Sequence, residues 1–167
     1  MGLSVALLVA AAATCTIPPS EEAAQTSLSY GEFDGRGGPF GWRALAAAGC
    51  VDSAVALLAG YAEANRARLP SAQRREIAFH IGQALAMDGR AQEAIAALEQ
   101  ALDAEAPAEW TTYVQATLAF LRRDREALQA ARASYASLSP GSMRLRIIDG
   151  LVACPNEPYM KAAHCRM

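Results

Sequence analysis

An all-α chain of antiparallel helical hairpins is what this sequence predicts, on three observations. Beyond residue 38, Ala, Leu, Arg, Glu and Gln dominate and no β-branched alternation is sustained, which favours helix over strand. Breaks in the helical pattern alternate between long and short, and a short turn forces the two helices it joins to lie antiparallel. The turn-flanking alanines Ala54, Ala94 and Ala127 recur at a spacing near that of a repeat of about 34 residues.

The chain opens on a separate segment, MGLSVALLVAAAATCTIPPS. Residues 3–13 are apolar apart from Ser4, a run too short for the ~20 residues of a membrane span and of the length of a signal-peptide core. Ala11, Ala12 and Ala13 offer a cleavage site, although no Lys or Arg precedes the run. Residues 12–15 also resemble the end of a bacterial lipoprotein signal, which makes Cys15 a second candidate, for lipidation. Thr14 before the cysteine and the lack of a leucine three positions earlier depart from that pattern, so ordinary cleavage is preferred. The chain is thus expected to be exported, to the periplasm or beyond, and lipid-anchored only if Cys15 is modified. Residues 1–15 read as the signal, residues 16–38 as a flexible linker rich in Pro, Ser and Gly, and residues 39–167 as the helical domain.

Eight helices are expected in that domain. The first two cover residues 40–49 and 52–66, with Asp52 as N-cap of the second. Ser71 caps a third, to Met87, which Gly89 ends in the left-handed C′ position. A fourth covers residues 91–102. Pro107 opens a fifth in its first turn, and Asp124 caps a sixth, to Leu138. After the break SPGS a seventh spans residues 142–153, and a short eighth ends at Cys165. The hairpins are then 40–66, 71–102, 107–138 and a shorter, capping 142–165.

Residues 75–108 carry the most specific pattern. Ile81, Gly82 and Leu85 precede the turn glycine Gly89, and Ala94, Leu98 and Ala101 follow it. Small residues at Gly82 and Ala94 let the two helices approach, while Ile81, Leu85 and Leu98 fill the space between hairpins. This unit resembles a tetratricopeptide repeat, with Ala78 where an aromatic is usual and the closing proline displaced to Pro107. Gly49, Ala54, Leu58 and Tyr61 match in the hairpin before, Ala127 and Ala131 in the one after, with Trp110, Val114, Leu118 and Leu121 lining its first helix. The chain is also similar to exported bacterial proteins carrying such repeats. The resemblance implies a right-handed superhelix of about three hairpins plus the capping hairpin. It also implies a concave face lined by the first helix of each hairpin, and it implies no activity, because this repeat hosts many functions.

By register, that resemblance places Phe79, His80, Gln83 and Met87 on the concave face. Thr112, Tyr113 and Phe120 extend it, and Phe40 and Arg43 join from the first hairpin. The alternative is that Phe79, Tyr113 and Phe120 pack the core. A net charge of −2 provides no field toward nucleic acid, and 53% hydrophobic against 19% charged residues suits a packed globule. His80 has no Ser, Cys or carboxylate at a helical spacing that would build a relay, so a structural histidine is expected. Cys154, His164 and Cys165 lack the short ligand spacing of a zinc site, and a Cys154–Cys165 disulfide is the better reading in an oxidising compartment. Cys50 lies too far along a regular array to be an obvious partner. No cofactor or metal is expected. The leading expectation is a non-catalytic scaffold that binds a protein or peptide on its concave face. Its rivals are an enzyme or metal-dependent protein built on the C-terminal Cys/His cluster, and a structural subunit of an envelope assembly.

Overall fold

The structure is a computed structural model that describes residues 15–35 and 38–165. The apolar run at residues 3–13 and its cleavage site lie outside these residues. Every regular element described is helical: α1 (Pro19–Ser27), α2 (Tyr30–Gly35), a 3₁₀ turn (Gly38–Phe40), α3 (Trp42–Ala47), α4 (Val51–Ala64), α5 (Ser71–Met87), α6 (Ala91–Glu99), α7 (Ala108–Leu121), α8 (Arg125–Leu138), α9 (Met143–Ala153) and α10 (Tyr159–Ala163). The pairs α3–α4, α5–α6, α7–α8 and α9–α10 pack as hairpins, and the second helix of each packs against the first helix of the next.

The turn chemistry read from the sequence is largely present. Gly89 adopts φ +78°, which only a residue without Cβ takes at no cost, and it ends α5. The Asp124 carboxylate accepts from the Ala127 amide at 2.9 Å and starts α8. Ser142 caps α9 the same way, through the Leu145 amide. Asp52 and Ser71 do not cap. Each lies inside its helix, after Cys50 and Pro70 respectively, and Asp52 instead meets the Arg90 guanidinium at 2.6 Å across the hairpin boundary. Gly82 sits at the α5–α6 crossing, where a Cβ would lie 2.5 Å from Leu98 Cγ. Gly150 does the same for α9 and α10, where a Cβ would run into the Ala162 carbonyl oxygen.

Residues 16–35, expected as part of a flexible linker, are not a free linker. α1 packs on α4, and the Phe33 ring of α2 stacks on Tyr61 at 3.8 Å with 1% of its surface exposed. Tyr61 donates its hydroxyl to the Leu28 carbonyl, and Asn65 donates its amide to the Thr26 carbonyl, both at 3.0 Å. Pro18, Pro19, Ser27 and Gly35 lie at the ends of two short helices, and Phe33, with the half-buried Tyr30 one helical turn before it, packs inward.

All four cysteines are paired. Cys154 and Cys165 are joined, as the sequence suggested, and tie the end of α9 to the end of α10. Cys50 bonds Cys15, with 5.1 Å between their Cα atoms. Cys50 stays apart from the C-terminal cysteines, as its distance along the array suggested, and its partner Cys15 was not foreseen: α1 and α2 fold back along α4 and bring residue 15 to the α3–α4 turn. The lipidation reading of Cys15 fails for a chemical reason: a sulfur in a disulfide cannot carry a thioether. Cys15 is thereby tied to the α3–α4 turn. Two disulfides and no free thiol are the cysteine usage of an oxidising compartment. No helix among the described residues is long and apolar enough to cross a membrane.

Candidate functional site

The first-helix face is where the sequence places its binding residues, and the structure covers most of it. α9 packs on α7, and α10 reaches α5. Phe79 and Tyr113 are each 3% exposed and Phe120 is 7% exposed, so these three are core residues and not free groove walls. Phe79 packs against the rings of Trp110 at 5.4 Å and Tyr113 at 5.1 Å, and Phe120 against Tyr159 of α10 at 6.2 Å. Met87 is half-buried and shares a hollow of about 360 Å³ with Phe120 and Tyr159. Thr112 faces away, into a shallow groove between α6, α7 and α8, and its hydroxyl donates to the Ala108 carbonyl. Phe40, in the 3₁₀ turn, is half-buried.

The two polar groups of the predicted face, His80 and Gln83, are one turn apart on α5 and sit in a chain of contacts that crosses it. Arg43 donates to both oxygens of Asp34 at 2.8 and 2.9 Å, while its guanidinium lies 4.1 Å from the centre of the Trp42 ring. Asp34 Oδ1 is 3.2 Å from His80 Nε2, and His80 Nδ1 is 3.0 Å from Gln83 Oε1. Gln83 Nε2 then donates to the Tyr159 hydroxyl at 3.2 Å. The chain starts in α3 and α2, crosses α5 and ends in α10. Burial opposes ionisation of Asp34, but the hydrogen bond and charge of His80, followed by Arg43, outweigh it and hold the carboxyl at about 2. Burial also raises the Tyr159 phenol, which stays neutral and can accept from Gln83.

Asp34 therefore gives His80 the carboxylate that the helical spacing lacked. The arrangement is still not a relay. Both imidazole nitrogens are engaged, one by Asp34 and the other by Gln83, so neither is left to accept a proton from a nucleophile. At the C-terminus, the sulfurs of Cys154 and Cys165 are bonded to each other, which removes two thiolates from any metal set there. His164 Nδ1 lies 2.8 Å from the Met160 carbonyl.

Also open on this face is a cavity of about 270 Å³ between α5, α7 and α9, flanked by α2. It is lined by Phe79, His80, Gln83 and Tyr113, all expected from the sequence, and by Asp34, Glu76, Trp110, Arg144 and Ile147. The Arg144 guanidinium lies 5.4 Å from the Trp110 ring centre and 5.3 Å from that of Tyr113. Burial pushes the Tyr113 phenol well up, so its hydroxyl is a neutral donor. Burial, reinforced by Glu76, does the same to Tyr30. Sequence reasoning missed Asp34, Glu76 and Arg144. Glu76 precedes His80 by one helical turn and could have been found by extending the register of α5. Asp34 lies one residue after Phe33, in a stretch read as linker, where the spacing of Tyr30 and Phe33 could have signalled a packed helix. Arg144 had no such signal, since nothing in the sequence sets how the last hairpin lies on its neighbours.

Neither a protein-family model, nor a curated protein, nor a solved structure matches this chain.

Proposed function

We propose that this protein is a non-catalytic binding module of the bacterial cell envelope. In this reading it is a tetratricopeptide-like array that holds a segment of a protein or peptide partner where α9 and α10 leave the first-helix face open. The observation that carries the reading is the cavity itself. Four of the residues that the repeat register sends to the concave face converge on it, and Arg144 joins them from the capping hairpin. The order in which the hairpins pack supports the repeat reading, and the pairing of all four cysteines supports a compartment outside the cytoplasm. A cavity this small admits one residue of a segment, so the rest of the partner lies across the rim. An enzyme has less in its favour, since His80 has no free nitrogen and the C-terminal cysteines are bonded to each other. The test is capture of partners from an envelope fraction by the wild type and by Arg144→Glu, with thermal melting of both. A partner retained by the wild type and lost from an equally stable Arg144→Glu supports the reading. Equal capture by both, or none by either, rejects it.

A further inference from the structure

We propose that the cavity between α5, α7 and α9 is a recognition site for a free α-amino acid with an apolar side chain. The proposal goes beyond the segment-binding reading and does not need a protein partner.

Arg144 carries the first half. Its guanidinium has five N–H donors, and among the described residues it makes no hydrogen bond and no ion pair. It is nonetheless oriented, by two aromatic faces at 5.3 and 5.4 Å. Glu109 is the acid that feels its charge, but that carboxylate takes the Tyr135 hydroxyl at 2.7 Å and leaves the guanidinium donors free. The Tyr113 hydroxyl is a second free donor. It belongs to a residue only 3% exposed, lines the same cavity, and has no hydrogen-bond partner among the described residues. The oxygen itself is not sealed in the core but open to the cavity, so a ligand atom can reach it. A fork of N–H donors and one O–H facing a shared space match the two oxygens of a carboxylate.

Glu76 carries the second half. It lines the cavity from α5, whereas Arg144 lines it from α9, so acid and base come from different walls. The other acid, Asp34, is already held by Arg43 and His80. Glu76 sits beside the neutral Tyr30 phenol and has no basic partner among the described residues, so it is the acid left to meet a ligand ammonium. Phe79, Trp110 and Ile147 supply apolar wall for a side chain. The volume, about 270 Å³, falls just below the roughly 300 Å³ at which sites for drug-sized ligands begin, so it suits a molecule of one residue.

The experiment titrates the intact protein with L-leucine, leucinamide and N-acetylleucine, by calorimetry and by tryptophan emission, since Trp110 lines the site. Leucine is expected to bind saturably, and each analogue, having lost one charge, about tenfold or more weaker. Arg144→Gln should weaken leucine and N-acetylleucine alike while leaving leucinamide unchanged. Glu76→Gln should weaken leucine and spare N-acetylleucine. Thermal melting of each variant checks the fold, and Arg144→Lys, which keeps the charge without the fork, should retain part of the affinity. Absence of saturable leucine binding overturns the proposal, as does leucinamide or N-acetylleucine binding as tightly as leucine. Failure here with Arg144-dependent partner capture intact leaves the segment-binding reading standing, and leucine binding without partner capture does the reverse.

Discussion

The N-terminal helices α1 to α3 and the C-terminal hairpin α9–α10 both reach α5, one at Glu76 and His80, the other at Gln83. Each is closed by a disulfide, Cys15–Cys50 with a sequence separation of 35 and Cys154–Cys165 with one of 11. Each also sets one polar side chain on α5: Asp34 on His80, Tyr159 on Gln83. The means differ. The N-terminal cover is charged where it meets α5, through the Arg43–Asp34 pair, and apolar where it meets α4, through Phe33. The C-terminal cover meets α5 through a neutral, buried phenol. Short helices that could not stand alone become part of the globule when a covalent tie and a few buried rings act together. The hairpins from α4 to α8 are what they cover, and the cavity is what they leave.

Breaking the N-terminal cover at its ring should have the largest effect. Phe33→Ala removes a fully buried aromatic stacked on Tyr61, and we expect a loss of about 3–5 kcal/mol in urea unfolding. A free linker would give a change near zero. The disulfides come next. On loop length alone, Cys15→Ser should cost roughly 4 kcal/mol and Cys165→Ser roughly 3 kcal/mol, so the longer loop should lose about 1 kcal/mol more. Equal losses, or a larger one at Cys165, would break the ranking of the two covers. Peptide mapping without reductant should recover both pairs from protein made in an oxidising compartment.

The polar contacts should give the smallest effects and separate the covers by pH. Tyr159→Phe removes the acceptor of Gln83 and should cost about 1 kcal/mol. Asp34 titrates lower in the folded chain, at about 2, than the roughly 3.9 of an unfolded aspartate, so it stabilises above about pH 4 and that stabilisation fades as pH falls toward 2. Asp34 is partly exposed, and solvent screening keeps its share to about 1 kcal/mol or less. Stability curves of the wild type and Asp34→Asn should therefore differ near neutrality and converge below pH 3. A constant gap would show that Asp34 acts through packing and not through charge.

Local chemistry was legible in the sequence because it depends on neighbours a few residues away. The left-handed Gly89, the Asp124 cap, the tight crossing at Gly82 and the Cys154–Cys165 pair all fall within single hairpins, where turn length and helical period set the geometry. The register of α5 likewise sent Phe79, His80 and Gln83 to one face. What that face meets depends on chain far away in sequence. Tyr159 is 76 residues from Gln83, and Asp34 reaches His80 from a stretch that reads as linker. A periodic pattern says which side of a helix is apolar. It does not say whether a partner, solvent or the chain's own ends will cover that side. Here the ends cover it, because two disulfides and the rings of Phe33 and Tyr159 hold them there, and only that packing turned an open groove into a cavity with Arg144 in its wall.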